Sequence, residues 1–271
     1  MPIPIRKGKE IDEMRVACHL ARDILLACGE QVKPGVTTGF IDQFAADMMA
    51  EKECKSAFLG YKPGKSGVPA FPGNICISVN EEIVHGIGSD RVIQFGDILK
   101  IDVGIHKGGW VGDNAMTIPV GGIDPEVQRL LAVTEESLHV AISHARDGEM
   151  LGTLCASVEE FVVQHRCTVV REFVGHGVGR KLHEEPQVPN YGRKGDKPRL
   201  RAGYILAIEP MVNLGTAKAK ILEDGWTVVT ADGKPSSHFE HTVLITDDVP
   251  EILTPRPRLT PAGGPNAGVF G

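Results

Sequence analysis

The sequence lacks what a nucleic-acid binder, a membrane protein or a secreted disulfide scaffold would need. Among 271 residues, 29 lysines and arginines stand against 35 aspartates and glutamates, a net charge of -6. No basic field exists to draw in nucleic acid or an anionic membrane surface. The longest apolar runs are a handful of residues, far short of the roughly 20 that span a bilayer, and Met1 to Lys9 holds no hydrophobic signal core. Six cysteines, at 18, 28, 54, 76, 155 and 167, form no CxxC pair and no dense framework. Reduced thiols and a cytoplasmic location are the expectation. What is present is an ordinary globular composition, 42% apolar and 24% charged, in a chain long enough to bury a substantial core.

Ile11, Met14, Cys18, Ala21, Leu25 and Cys28 recur at helical spacing until Pro34-Gly35 stops them. A second helix is predicted from about Thr38 to Lys52, with Thr37 or Thr38 as N-cap. From Ser56 to Gly122 short apolar runs cut by glycine and proline read as strands and loops: Ile75 to Val79, Ile98 to Ile105, Val111 to Val120. Asp124-Pro125 opens a third helix with Gly148 as its terminator, and a fourth runs from about Thr153 to Arg166. Strands return at Tyr204 to Asn213, Thr227 to Thr230 and His238 to Thr246.

That order of helices, strands, helices, strands contains an internal repeat. Gly96-Asp97-Ile98-Leu99-Lys100-Ile101-Asp102 matches Gly203-Tyr204-Ile205-Leu206-Ala207-Ile208-Glu209 as GxILxI followed by a carboxylate. An HGxG precedes each copy, at His85 and His176, and a further carboxylate follows each at a strand start, Asp113 and Glu240. Two similar halves, about 1–122 and 123–250, are therefore expected within a single domain over 1–254. The stretch 255–271, rich in proline, glycine and alanine, is expected to be a disordered tail.

Alternation along the first copy puts Leu99, Ile101, Val103 and Ile105 on one face and Asp102 on the other, with Ile98 and Lys100. In the second, Glu209 falls opposite Leu206 and Ile208. A lone strand carboxylate is most simply a buried salt bridge or an exposed group. Four in matched positions would converge between the halves and repel one another, with no lysine or arginine repeated in both copies to offset them. Two divalent metals would supply that charge, and the nearby imidazoles His85, His176 and His183 favour a transition metal over magnesium or calcium. The glycine-rich run from Gly175 lacks a P-loop lysine and serine, and His183-Glu184 followed by Pro186 and Gln187 breaks the zincin helix pattern.

HGI around His85, the spaced pair Asp102 and Asp113, GHGVGRKLHEEPQVPNY from Gly175, AIEPM around Glu209, DGWTV around Trp226 and FEHTV around Glu240 closely resemble the type I methionine aminopeptidases, over about residues 5–254. The short separation between Glu209 and Glu240 is similar to type I rather than type II. The resemblance implies an α+β pita-bread fold, a curved antiparallel sheet flanked by helices with pseudo-twofold halves. It implies a dinuclear centre of cobalt, manganese, iron or zinc on Asp102, Asp113, His176, Glu209 and Glu240, with Asp113 and Glu240 bridging. Glu209 would shuttle a proton, His85 and His183 would contact the substrate carbonyl or amide, and Tyr61, Phe71, Cys76 and Trp226 would line the methionine pocket. The chain departs from the family pattern by inserting Lys62 to Ala70 before Phe71-Pro72 and by carrying Leu182 where an aromatic is common.

Implied partners are the N-termini of nascent polypeptides and peptides, with transient ribosome contact and no docking extension ahead of the first helix; a monomer is expected. Competing readings are an X-Pro aminopeptidase or dipeptidase of the same fold, set against by the short 84 residues before His85; a non-catalytic pita-bread binding module; and a mononuclear iron oxygenase using His238-Phe239-Glu240. The last leaves Asp102, Asp113 and Glu209 unexplained.

Overall fold

The computed structural model describes residues 2–259 apart from 63, 65 and 66. Four helices carry most of the apolar covering of the sheets. Helix α1 (Lys9–Glu30) buries Met14, Ala17, Cys18, Ala21, Ile24, Leu25 and Cys28, the stripe that the sequence periodicity outlines. In α2 (Thr38–Glu51) the Thr37 hydroxyl accepts the Phe40 N–H, and in α3 (Pro125–Ser143) the Asp124 carboxylate accepts that of Glu126 ahead of a first-turn proline. Helix α3 ends at Ser143 rather than near Gly148, because His144 already leaves the helix and the chain turns back towards a bridge between Arg146 and Thr246. Helix α4 (Leu151–Gln164) packs on α3.

The strands follow as β1 (Lys55–Ser56), β2 (Cys76–Val79), β3 (Glu82–Val84), β4 (Ile98–Lys107), β5 (Trp110–Pro119), β6 (Thr168–Val169), β7 (Gly175–Gly177), β8 (Glu184–Val188), β9 (Ile205–Ile208), β10 (Met211–Asn213), β11 (Ala219–Ile221), β12 (Val228–Thr230), β13 (Ser236–His238), β14 (His241–Leu244) and β15 (Glu251–Ile252). All their pairings are antiparallel. The long β4–β5 hairpin, extended by β1 and β2, dominates the first half, and a β15-β14-β9-β7-β8 sheet the second. Helix α1 covers β4 and β5, while α3 lies on β9, β10 and β13. The repeated segments thus become β4 and β9. Close packing of α1 requires Gly112, where a Cβ would stand 2.3 Å from the Ala17 carbonyl oxygen.

The halves meet where β5 runs beside β13 and β14. Thr117 donates its hydroxyl to the His238 carbonyl at 2.7 Å, Glu240 donates its N–H to the Ala115 carbonyl at 2.8 Å, and Thr242 donates its hydroxyl to the Asp113 carbonyl at 2.7 Å. Two long strands predicted from the sequence are each broken here. The run from Tyr204 to Asn213 splits at Glu209-Pro210, since proline cannot donate to a ladder, and the run from His238 to Thr246 splits at Phe239-Glu240. Glu209 and Glu240 therefore sit in breaks between strands, so strand alternation does not aim them; Asp113 lies within β5 rather than at its start.

Residues 255–259, expected in a disordered tail, are tied to the body. Arg256 donates to the Glu240 and Ala115 carbonyls, Arg258 pairs with Glu136 at 2.7 Å, and the Leu259 N–H reaches Glu135. The remainder of that segment, 260–271, lies outside the described residues, as does part of the 62–70 insertion.

Candidate metal centre and its pocket

β4 and β5 place the first two carboxylates. Gly104 pairs with Asp113 in the ladder, so Asp102, two residues from Gly104, is a diagonal neighbour of Asp113 on the same face. Glu240 arrives across the seam on its N–H bond to Ala115. One oxygen from each of Asp102, Asp113 and Glu240 lies within 4.8 Å of the others.

His176, in β7, completes the ring: its Nε2 is 3.8 Å from Asp113 and 3.5 Å from Glu209. Its Nδ1 donates to the Gly177 carbonyl at 3.0 Å, which fixes the tautomer and turns the Nε2 lone pair towards the carboxylates. The flanking glycines permit this approach, for a Cβ at Gly177 would meet the Glu185 carbonyl oxygen at 2.1 Å and one at Gly175 the Ala207 carbonyl oxygen at 2.4 Å. His238 stands behind Glu209, its Nε2 3.6 Å from the carboxylate.

Among the described residues no lysine or arginine forms an ion pair with these carboxylates, and Arg256, the cation that acts on Glu240, bonds the Glu240 carbonyl instead. Asp102 Oδ1, Asp113 Oδ1 and Glu240 Oε1 are buried with no hydrogen-bond partner. Burial, with the neighbouring carboxylates adding to it, pushes Asp102, Glu209 and Glu240 well above the usual carboxylate range, and burial raises Asp113 to about 7. Burial also lowers His176 to about 3 and His85 to about 4, so both are neutral imidazoles at physiological pH. Partnerless buried oxygens facing a neutral imidazole are costly alone and are what a divalent cation would satisfy. The donor set fits a transition metal.

Beside the carboxylates opens a cavity of about 290 Å³. All eleven residues singled out from the sequence line it: Asp102, Asp113, His176, Glu209 and Glu240 at its floor, His85 and His183 at its side, and Tyr61, Phe71, Cys76 and Trp226 in its apolar part. Tyr61 hydroxyl and His183 Nδ1 are 2.9 Å apart, Trp226 donates Nε1–H to the Pro69 carbonyl at 3.0 Å, and the Trp226 ring meets Phe71 edge-on at 5.2 Å. Pro69 belongs to the inserted stretch, so the insertion supports the pocket wall. Cys76 pairs with Asp102 in the ladder, and burial holds its thiol protonated.

Sequence reasoning missed Phe58, Phe173 and Met211, which also line the cavity. Phe173 packs edge-on against His85 at 5.3 Å. Phe58 and Phe173 carry no periodic or motif signal around them, whereas Met211 closes the AIEPM run around Glu209 and was findable from it.

Residues 12–247 match metallopeptidase family M24, and the chain belongs to that family of metal-dependent hydrolases. A methionine aminopeptidase 1 of Bacillus subtilis is 47% identical over 246 residues, 91% of this chain and 96% of the relative. The crystal structure of methionine aminopeptidase from Thermotoga maritima superposes with a TM-score of 0.90 at 40% identity, covering 94% of this chain and all of the other. Within the family the chain therefore falls among the methionine aminopeptidases, with their pita-bread fold. A prolidase from Pyrococcus horikoshii matches at a TM-score of 0.73 with 22% identity and 64% of its length covered, a likeness of fold alone.

Proposed function

We propose that this chain hydrolyses the N-terminal methionine from peptides and nascent proteins whose second residue is small, with two divalent cations held by Asp102, Asp113, His176, Glu209 and Glu240. The observation that carries the reading is the ring of partnerless buried carboxylate oxygens at the floor of an aromatic and sulfur-lined cavity. When bound, such cations act as Lewis acids and make water nucleophilic at neutral pH.

The chain's own residues do the rest. Tyr61, Phe71, Cys76 and Trp226 receive the flexible thioether side chain, for which aromatic faces and a protonated thiol are suitable surroundings. His85 and His183 flank the scissile carbonyl, where a ring N–H stabilises the developing oxyanion. The Tyr61 hydroxyl against His183 Nδ1 sets the orientation of that ring. Glu209 takes a proton from the attacking water and delivers it to the leaving amine, from its place at the cavity floor beside His176. Recognition of the free terminal α-amine at the carboxylate end of the cavity limits cleavage to the first residue.

Six free, buried cysteines fit a reducing cytoplasm, and no helix among the described residues is long and apolar enough to cross a membrane. The protein acts as a monomer that meets its substrates at or near the ribosome. Incubating protein loaded separately with manganese, cobalt, iron or zinc with Met-Ala-Ser, Met-Leu-Ser and Ala-Pro-Ala decides the matter. Methionine release from the first alone is expected, and the fastest metal identifies the one the site prefers. No release from Met-Ala-Ser with any metal refutes the assignment, and cleavage of Ala-Pro-Ala instead turns it to the X-Pro class.

A further inference from the structure

Arg256 lies outside the cavity and outside both repeats, in a stretch whose composition marks it as dispensable, yet it bonds directly to the backbone of Glu240 and of the strand that carries Asp113. Its Nη1 donates to the Glu240 carbonyl at 2.9 Å, and its Nη2 donates to the Ala115 carbonyl at 2.8 Å. The same Ala115 oxygen accepts the Glu240 N–H at 2.8 Å. The main chain of Glu240 is thus closed in a ring, its N–H held by Ala115, its C=O held by Arg256, and Arg256 held by Ala115. Ala115 is two residues beyond Asp113 on β5, so the ring joins the segments bearing Asp113 and Glu240 across the seam between the halves.

The strap around Arg256 is built to hold it there. Pro255 and Pro257 flank it and fix φ on either side, which lowers the conformational entropy lost on ordering. The Thr254 hydroxyl accepts the Thr242 N–H at 3.1 Å and contacts His241 Nδ1 at 3.0 Å, and Arg258 is pinned by Glu136 on α3. Nη1 also lies 3.1 Å from His241 Nδ1. A planar fork with two donors is needed to reach two carbonyls at once, which a lysine ammonium on a flexible stem does not reproduce.

We propose that Arg256 is a positioning residue for the metal centre: its guanidinium holds the Glu240 backbone against the Asp113 strand, which keeps the two carboxylates within reach of one another. The inference rests on the ligand roles proposed above, and the two are tested apart. Manganese titration of the wild-type protein by calorimetry tests the ligand set, and the same titration of Arg256→Met and Arg256→Lys tests the strap.

With Arg256→Met, manganese affinity should fall at least tenfold, the visible absorption of the cobalt-loaded protein should change in position or intensity, and the rise in Tm on adding manganese should shrink. Arg256→Lys should fall between Met and wild type. A merely structural role would lower Tm equally with and without metal and leave affinity and spectrum unmoved. That result overturns the proposal. If Arg256→Met does not fold, the lysine variant decides alone, and wild-type manganese affinity with a wild-type cobalt spectrum overturns it. Absence of manganese binding by the wild type would refute the ligand set, and with it the inference.

Discussion

Stripped of divalent cations, the protein should lose stability as pH rises from 7 to 8. The cause is the four carboxyls at the cavity floor. Asp102, Glu209 and Glu240 are raised well above their ordinary values and Asp113 to about 7, whereas in the unfolded chain all titrate near about 4. A group with a raised folded-state pKa contributes stability that is complete below the unfolded value and is lost as pH climbs through the folded one. Between pH 7 and 8 each carboxyl that keeps its proton in the fold thus costs about 1.4 kcal/mol per pH unit.

Other groups in that window are few. His85, His176, His238 and His241 are lowered by burial and are neutral in the fold, and unfolded histidine is mostly neutral above pH 7. Lys100, lowered by burial to about 7, works the other way and returns up to about 1.4 kcal/mol per unit above that value. The thiols of all six cysteines are raised and act in the same direction as the carboxyls as pH nears 8.

Three strongly raised carboxyls against one lysine leave a loss. The four acids share one small space and release protons in joint steps, but a single net proton already amounts to about 1.4 kcal/mol per unit, or about 3–6 °C in Tm for a domain of this size. Scanning calorimetry of chelated protein at pH 7 and 8 and constant ionic strength reads this directly. Manganese at a thousandfold excess over its Kd should restore about 4 kcal/mol, and more at pH 8, where fewer protons must be displaced from the ligands. A chelated Tm that is level or rises from pH 7 to 8, with the same metal-induced shift at both, would refute the reasoning.

Two further outcomes follow from packing. Trp226→Ala removes a ring that meets Phe71 at 5.2 Å and Tyr61 at 6.4 Å; kcat/KM for Met-Ala-Ser should fall about thirtyfold, from about 2 kcal/mol of lost apolar contact, chiefly through KM, and an unchanged KM would remove this residue from the pocket. Gly112→Ala places a methyl 2.3 Å from the Ala17 carbonyl oxygen; urea unfolding should show about 1–3 kcal/mol of lost stability with a weakened metal centre one residue away, and a wild-type midpoint would mean that α1 has room to move.

Most of the candidate site was legible because its residues sit in short, unusual contexts. A carboxylate inside a mostly apolar strand, as at Asp102, and histidines between glycines, as at His176, are visible without coordinates. The same holds for Thr37 and Asp124, whose capping roles depend on residues two or three positions away. The strand argument picked out Glu209, which does line the cavity, by a route the structure does not follow, since Pro210 ends the strand there and the break sets the direction of the carboxylate. Phe58, Phe173 and the Arg256 strap gave no local sign of their place.

From its own order of residues the chain determines the elements and the repeat. Periodicity, caps and breakers act through backbone sterics and hydrogen bonds that span only a few positions. Which groups meet was decided by the tertiary structure alone. The Asp113 and Glu240 segments are brought together by one carbonyl of β5 that accepts both the Glu240 N–H and the guanidinium of Arg256, 141 positions further along. No short-range pattern encodes such a contact, because it exists only once the sheets of both halves have closed on each other and excluded the water that would otherwise satisfy those groups.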